Sequence, residues 1–283
     1  MREVILADNS GFCFGVKRAV DEAIKIQEQY NQKIYTLGPL IHNNDVVGYL
    51  EDHDIFSIEL EDIDRLKPKD VIVIRSHGVS KKVLSILEER GLTVVNATCP
   101  FVTNIQKKVK KYSDEGYHIV ILGDKEHPEV VGINGWCNDD ATITKDGNIN
   151  IELPDKVCAV AQTTEKKKNW DNTVEHLKDV KDLLSFNTIC AATDVRQKST
   201  LKLSKEADAM IVIGGKNSSN TTKLYQIAKE NCKHTIHIEN IKDLPKDFIN
   251  DDIKNLYEIN LKNNYLGAII EDYSDESKKR LKL

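Results

Sequence analysis

Short apolar runs alternate along the chain with amphipathic stretches, and the two periodicities together predict an α/β protein. Apolar, β-prone runs stand at residues 3–7, Ile34–Leu37, Val71–Ile74, 93–95, His118–Leu122, 157–161 and Ala209–Ile213. Several are apolar almost without a break, the pattern of strands covered on both faces. Helical patterns lie between them. Val16, Ala19, Val20, Ala23, Ile24 and Ile26 fall on one helix face within residues 16–29, Pro100 stands where a first helical residue would, and residues 194–206 read as a further helix. Strands separated by helices pair in parallel, and such sheets bind ligands at the carboxyl ends of their strands.

Aligning the chain on three of its cysteines exposes an internal repeat. A β-prone run precedes Cys13 and Cys99, a weaker one (Asn187-Thr188-Ile189) precedes Cys190, and a helical pattern follows each. A buried-type strand then ends in glycine: Gly38, Gly123 and Gly214 stand twenty-five, twenty-four and twenty-four residues after their cysteines. Four positions past each glycine is a polar side chain suited to an anion: His42, His127 and Ser218. A second strand leads into another polar turn, Arg75-Ser76-His77-Gly78 in the first repeat and Gln162-Thr163-Thr164 in the second. The third repeat should offer such a turn some forty residues past Gly214. Its strand candidate, residues 265–270, runs instead into the acidic Glu271-Asp272-Tyr273-Ser274-Asp275. The expected units are 14–98, 99–188 and 189–270 plus 1–13, with 271–283 a tail or linker. The predicted fold is α/β, with three pseudo-threefold-related units whose small parallel sheets surround a central cavity. Three independent sheets with merely buried cysteines are the plainer alternative.

Charge and cysteine usage narrow the function. A net charge of -5 argues against a nucleic-acid-binding surface, and Lys107, Lys108, Lys110 and Lys111 read better as a solvated helix face than as a docking patch. No apolar run reaches the 18 or so residues of a membrane span, and Met1-Arg2 leads straight into a strand, so neither membrane anchor nor signal peptide is expected. Six cysteines with no C-x-x-C pair, in a chain too large to need a disulfide framework, suit a reducing cytoplasm.

Three convergent thiolates, Cys13, Cys99 and Cys190, are too few to saturate a cluster of four irons, which would leave one iron open for chemistry. Zinc is the rival metal, but its cysteine ligands usually come in close pairs. His42, His77 and His127, with Ser218, Ser219 and Asn220, would supply donors for a phosphate or diphosphate. Glu129, two residues beyond His127, is the carboxylate of these turns and the natural proton donor, unless it only caps the next helix.

These residues resemble the 4-hydroxy-3-methylbut-2-enyl diphosphate reductases, also called the LytB family. The motifs are Gly11-Phe12-Cys13-Phe14-Gly15-Val16, Gly38-Pro39-Leu40-Ile41-His42-Asn43, Arg75-Ser76-His77-Gly78-Val79, Ala97-Thr98-Cys99-Pro100, Glu126-His127-Pro128-Glu129, Gln162-Thr163-Thr164 and Gly215-Lys216-Asn217-Ser218-Ser219-Asn220-Thr221. The resemblance implies one 4Fe-4S cluster per chain on Cys13, Cys99 and Cys190. It implies removal of the allylic hydroxyl of a small diphosphate substrate with two electrons from a ferredoxin or flavodoxin, giving isopentenyl and dimethylallyl diphosphate, the last step of the non-mevalonate isoprenoid pathway. Glu129 with Thr163 would deliver the proton; the three histidines, Thr164, Ser218, Ser219 and Asn220 would bind the diphosphate. Two departures stand out. The family usually has aspartate where Asn96 stands, and it closes its third unit with an Ala-Gly-Ala-Ser turn that has no counterpart here. Residues 271–283 resemble the linker that in some members leads to an RNA-binding domain. The alternatives are a non-redox iron-sulfur hydratase and a diphosphate-binding form that does not turn over.

Overall fold

The computed structural model describes residues 3–7, 9–248 and 255–260. Its strands form three four-stranded sheets, every pairing parallel. One sheet takes β2 (Ile34–Leu37), β3 (Ile55–Ile58), β4 (Val71–Ile74) and β5 (Thr93–Asn96) in the order β3-β2-β4-β5. Another takes β6 (His118–Leu122), β7 (Thr142–Thr144), β8 (Lys156–Ala161) and β9 (Asp182–Phe186) in the order β7-β6-β8-β9. The last joins β1 (Glu3–Leu6) to β10 (Ala209–Ile213), β11 (Thr235–Ile238) and β12 (Asn255–Asn260) in the order β1-β12-β10-β11. The helices are α1 (Phe14–Tyr30), α2 (Asn44–Glu51), α3 (Lys81–Glu89), α4 (Pro100–Asp114), α5 (Pro128–Asn134), α6 (Lys167–His176), α7 (Ala191–Ser204) and α8 (Ser219–Asn231).

The central strands are buried throughout, as their unbroken apolar runs predict: β4 and β10 along their whole length and β8 from Val157 onward. Alternate residues serve opposite faces. From β6 and β8, Ile119, Ile121, Cys158 and Val160 pack with Ile105, Val109, Val130 and Ile133 of α4 and α5. Val120, Leu122, Val157 and Ala159 pack with Trp170 and Leu177 on the other side. Sheet order sets where ligands go. In each sheet the chain crosses first one way and then the other from its second listed pair, so β2/β4, β6/β8 and β10/β12 flank a reversal of strand order, where α/β sheets open a crevice beyond the strand ends. Gly38 and Arg75 follow one such pair, Gly123 and Gln162 the next, and Gly214 the third.

Several elements depart from the sequence expectation. The strand before Cys190 is β9, Asp182–Phe186, not residues 187–189, because Thr188 turns its hydroxyl onto Ala161 at the end of β8. The third sheet's inner strand is β12, in a stretch whose Asn and Lys content hid Leu256, Tyr257 and Ile259. The candidate strand at 265–270, the acidic turn after it and the tail 271–283 lie outside the described residues. By contacts the chain falls into two compact units, a smaller one of Met1–Cys13, His42–Tyr49 and Ala191–Leu283 and a larger one of Phe14–Ile41 and Leu50–Cys190. No helix among the described residues is long and apolar enough to cross a membrane.

Candidate active site

In the larger unit the turn bearing Cys99 is held by a set of directed hydrogen bonds. Asn96 Oδ1 accepts the Thr98 backbone N–H at 3.0 Å and the Thr98 hydroxyl at 2.5 Å. Arg18 Nη2, on α1, donates to the Thr98 carbonyl at 2.6 Å, and the Cys99 N–H donates to the Ser76 carbonyl at 3.0 Å. Asparagine thus retains the acceptor this turn requires and lacks only the charge of aspartate. Cys99 is the N-cap of α4, with Pro100 in the first turn. The start of α1 lies against the thiol: a Cβ at Gly15 would stand 2.6 Å from Cys99 Sγ, so only glycine permits the approach.

Cys190 is tied to the turn after β8, its N–H donating to the Thr163 carbonyl at 3.0 Å. Cys13 belongs to the smaller unit, where Arg196 of α7 steadies its loop by donating from Nε to Asn9 O at 3.0 Å and from Nη2 to Gly11 O at 2.7 Å. All three cysteines directly precede a helix, α1, α4 or α7. They are partly exposed, whereas Cys137, Cys158 and Cys232 are buried in apolar clusters. Burial pushes the Cys137 thiol up to about 11 and that of Cys158 to about 12, so both stay protonated.

The larger unit also assembles the acid-base group. Glu129, in the first turn of α5, is only 2% exposed. Its Oε1 accepts the Thr163 backbone N–H at 2.6 Å, and its Oε2 accepts the Thr163 hydroxyl at 2.7 Å. His127 caps the same helix, with Nδ1 accepting the Glu129 N–H at 3.2 Å. A backbone N–H can only donate, so this ring nitrogen carries no proton and the neutral imidazole bears its proton on Nε2, a donor suited to an anion. The His77 ring meets His127 edge-on with centroids 5.2 Å apart. The geometry therefore brings His77, His127, Glu129, Thr163 and the Cys190 backbone into one connected cluster.

The smaller unit brings together His42 and the Ser218 turn. Any Cβ at Gly215 would overlap the His42 carbonyl oxygen, so the loop after β10 runs directly against His42. Ser218 caps α8 by accepting the Thr221 N–H at 3.4 Å and the Thr221 hydroxyl at 3.0 Å, which turns its own proton away from the helix. Ser219 and Asn220 follow in the first turn, and the Asn220 Oδ1 is buried with no hydrogen-bond partner among the described residues. A helix N-terminus edged by hydroxyls suits a phosphate.

Other candidates resolve into structural roles. His118 bonds Thr142 at 2.7 Å, His176 the Asn172 carbonyl at 2.9 Å, His234 the Phe248 carbonyl at 2.6 Å and His237 the Gly214 carbonyl at 2.9 Å. Lys108 lies over the Phe186 ring and Lys110 pairs with Asp114, which settles the lysine cluster as a helix face. Sequence reading missed Arg18 and Arg196, whose work is done through backbone carbonyls, and gave no role to Arg75 of the polar turn, whose guanidinium rests on Gly38. Burial lowers the Arg75 pKa, with Glu59 opposing the shift.

Among the described residues no three His, Cys, Asp or Glu side chains are grouped to hold a single metal ion. A cluster makes a different demand, because its thiolates bind separate irons and need not converge on one ion. In the larger unit Cys99, with Gly15 against its Sγ, and Cys190 are partly exposed thiols at helix starts, the kind of donor such a group takes, and Cys13 of the smaller unit is another; Cys137 and Cys158, buried and protonated, are not.

Comparison with known proteins supplies independent bearings. The family model described as "LytB protein" matches residues 4–258. The 4-hydroxy-3-methylbut-2-enyl diphosphate reductase of Clostridium perfringens is 62% identical over 253 residues, covering 89% of each chain. The reductase of Clostridium acetobutylicum is 59% identical over 252 residues, 88% of this chain but 39% of that longer one. Among solved structures, an (E)-4-hydroxy-3-methyl-but-2-enyl diphosphate reductase described as the terminal enzyme of the non-mevalonate pathway is 37% identical. It covers 93% of this chain and 94% of its own, with a TM-score of 0.65. The reductase of Plasmodium falciparum, at 22% identity, shares the fold with a TM-score of 0.84, covering 100% of this chain and 96% of its own.

Proposed function

Because this chain belongs to the LytB family, we propose that it is a 4-hydroxy-3-methylbut-2-enyl diphosphate reductase, replacing the allylic hydroxyl of its substrate by hydrogen. The 62% identity to a relative of that name, over nine-tenths of both chains, carries the reading. Two electrons and two protons convert the alcohol to a C–H bond and water, giving isopentenyl or dimethylallyl diphosphate. Cys13, Cys99 and Cys190 would hold a 4Fe-4S cluster, one per chain. When bound, that cluster would supply single electrons and Lewis-acid chemistry. A ferredoxin or flavodoxin in a reducing cytoplasm is the proposed source of electrons.

The chain's own residues do the rest. His42, His77, His127, Thr164, Ser218, Ser219 and Asn220 would bind the diphosphate through ring, hydroxyl and amide donors. Glu129 stores the proton. In the structure Oε1 accepts the Thr163 N–H and Oε2 accepts the Thr163 hydroxyl; protonation on Oε2 reverses the second bond, so that Oε2–H donates to Thr163 Oγ1. Moving along that bond, the proton passes to Thr163, whose hydroxyl hands its own proton to the departing oxygen. Glu129 at 2% and Thr163 at 8% exposure keep this pair from bulk water, which limits competing protonation.

The test is anaerobic purification with iron and sulfide analysis, followed by turnover assays with and without a reductant. Loaded protein that consumes the substrate only when reductant is present supports the reading. Reductant-independent conversion would point to a hydratase, and binding without conversion to a diphosphate-binding protein.

A further inference from the structure

Gln162 lies at the end of β8 and is completely buried, at 0% exposure, yet it takes no part in the proton path described above. Its side chain bridges two turns. Oε1 accepts the Asp124 N–H at 3.2 Å, at the start of the turn that leads to His127, and Nε2 donates to Thr164 Oγ1 at 2.9 Å. The bridge requires the bare backbone of Gly123, where a Cβ would stand 2.9 Å from both Gln162 Cβ and Oε1. The amide cannot be reversed. The Asp124 N–H can only donate, so the oxygen must face it and the NH₂ must face Thr164. Thr164 Oγ1 is therefore an acceptor toward Gln162, and its own O–H is directed away from the amide.

From this geometry we propose that Gln162 is a positioning residue: it sets the Thr164 hydroxyl as a donor toward the diphosphate, while holding the His127 turn at its other end. The inference rests on the reading of Thr164 as a diphosphate donor. A hydroxyl free to rotate would spend part of its time presenting a lone pair to the anion, and the amide removes that state. Gln162→Glu isolates the effect. Its carboxylate can still accept the Asp124 N–H, but it now accepts from Thr164 as well, reversing the hydroxyl.

The experiment is a double-mutant cycle on the purified full chain, with Gln162→Glu, Thr164→Val and the pair, titrated with inorganic pyrophosphate and checked by thermal unfolding and iron content. Thr164→Val should weaken pyrophosphate binding roughly ten- to a hundred-fold, the cost of one hydrogen bond to a charged oxygen. Gln162→Glu should weaken it by a similar factor alone and by far less in the Thr164→Val background. If its effect is the same in both backgrounds, the added charge acts by simple repulsion and the positioning role is overturned. Unchanged binding in Thr164→Val would instead remove the underlying reading of Thr164, and the proposal with it. Should Gln162→Glu not fold, the neutral, similarly sized Gln162→Met takes its place. Native affinity in that variant overturns the proposal, and a loss confined to the Thr164 background supports it.

Discussion

The Glu129 carboxylate shows how far one residue's meaning depends on its partner. In sequence it is equally a helix cap and an acid; in the structure the cap is His127, and both Glu129 oxygens are turned to Thr163. Glu129→Gln should therefore keep iron content and pyrophosphate affinity while turnover falls by about 10²- to 10⁴-fold, as expected for a lost general acid. His127→Ala should instead weaken pyrophosphate binding itself, measurable by titration calorimetry. The cysteines divide just as cleanly. Serine at Cys13, Cys99 or Cys190 should abolish the iron-dependent visible absorption, and serine at Cys137, Cys158 or Cys232 should leave it. Loss of absorption in the buried set would undo the assignment. Burial of Cys137 and Cys158 also predicts alkaline instability. Thiols in the unfolded chain ionise near 9.0, whereas in the folded chain Cys137 holds its proton to about 11. Between those values the unfolded state binds fewer protons, so stability is present below pH 9 and is lost as pH rises, by roughly 3 kcal/mol for Cys137 on reaching 11. Urea midpoints that stay constant from about pH 8 to 10.5 would contradict this.

At the level of elements, helix starts carry the chemistry and helix caps carry stability. The first turn of α1 lies on the Cys99 thiol through Gly15, so Gly15→Ala should lower iron content, or speed its loss to a chelator, in a protein that still folds. Ser80 caps α3 by accepting the Val83 N–H at 3.2 Å, in a helix that bears none of the proposed ligands. Ser80→Ala should cost about 1 kcal/mol in denaturant unfolding and leave iron content as it was. Equal effects on iron from both variants would mean that the α1 contact has no special role.

For the molecule as a whole, the first and last of the described strands meet in one sheet. β1, which leads toward Cys13, pairs in parallel with β12, and β12 pairs on its other side with β10. A chain stopped at residue 250 loses the strand between β1 and β10. It should lose iron and cooperative unfolding together, whereas one stopped after Asn260 should keep both; retained iron in the shorter chain would show that Cys13 is held without β1.

The repeat, the three cysteines, the glycine-ended strands and the polar turns were legible in the residue order, because periodicity and turn chemistry are local properties written at fixed spacing. So was the parallel α/β class, since central strands buried on both faces must be apolar throughout. The β12 strand was not legible, because its burden is backbone pairing with β1 and β10, which few side chains announce. The pairing of Glu129 with Thr163, thirty-four residues apart, came from the family resemblance and not from spacing, and the anchoring of the Cys99 turn by Arg18, eighty residues away, was not legible at all. Those contacts join side chains to backbone groups across elements, and only the packing of one element on another decides which donor meets which acceptor.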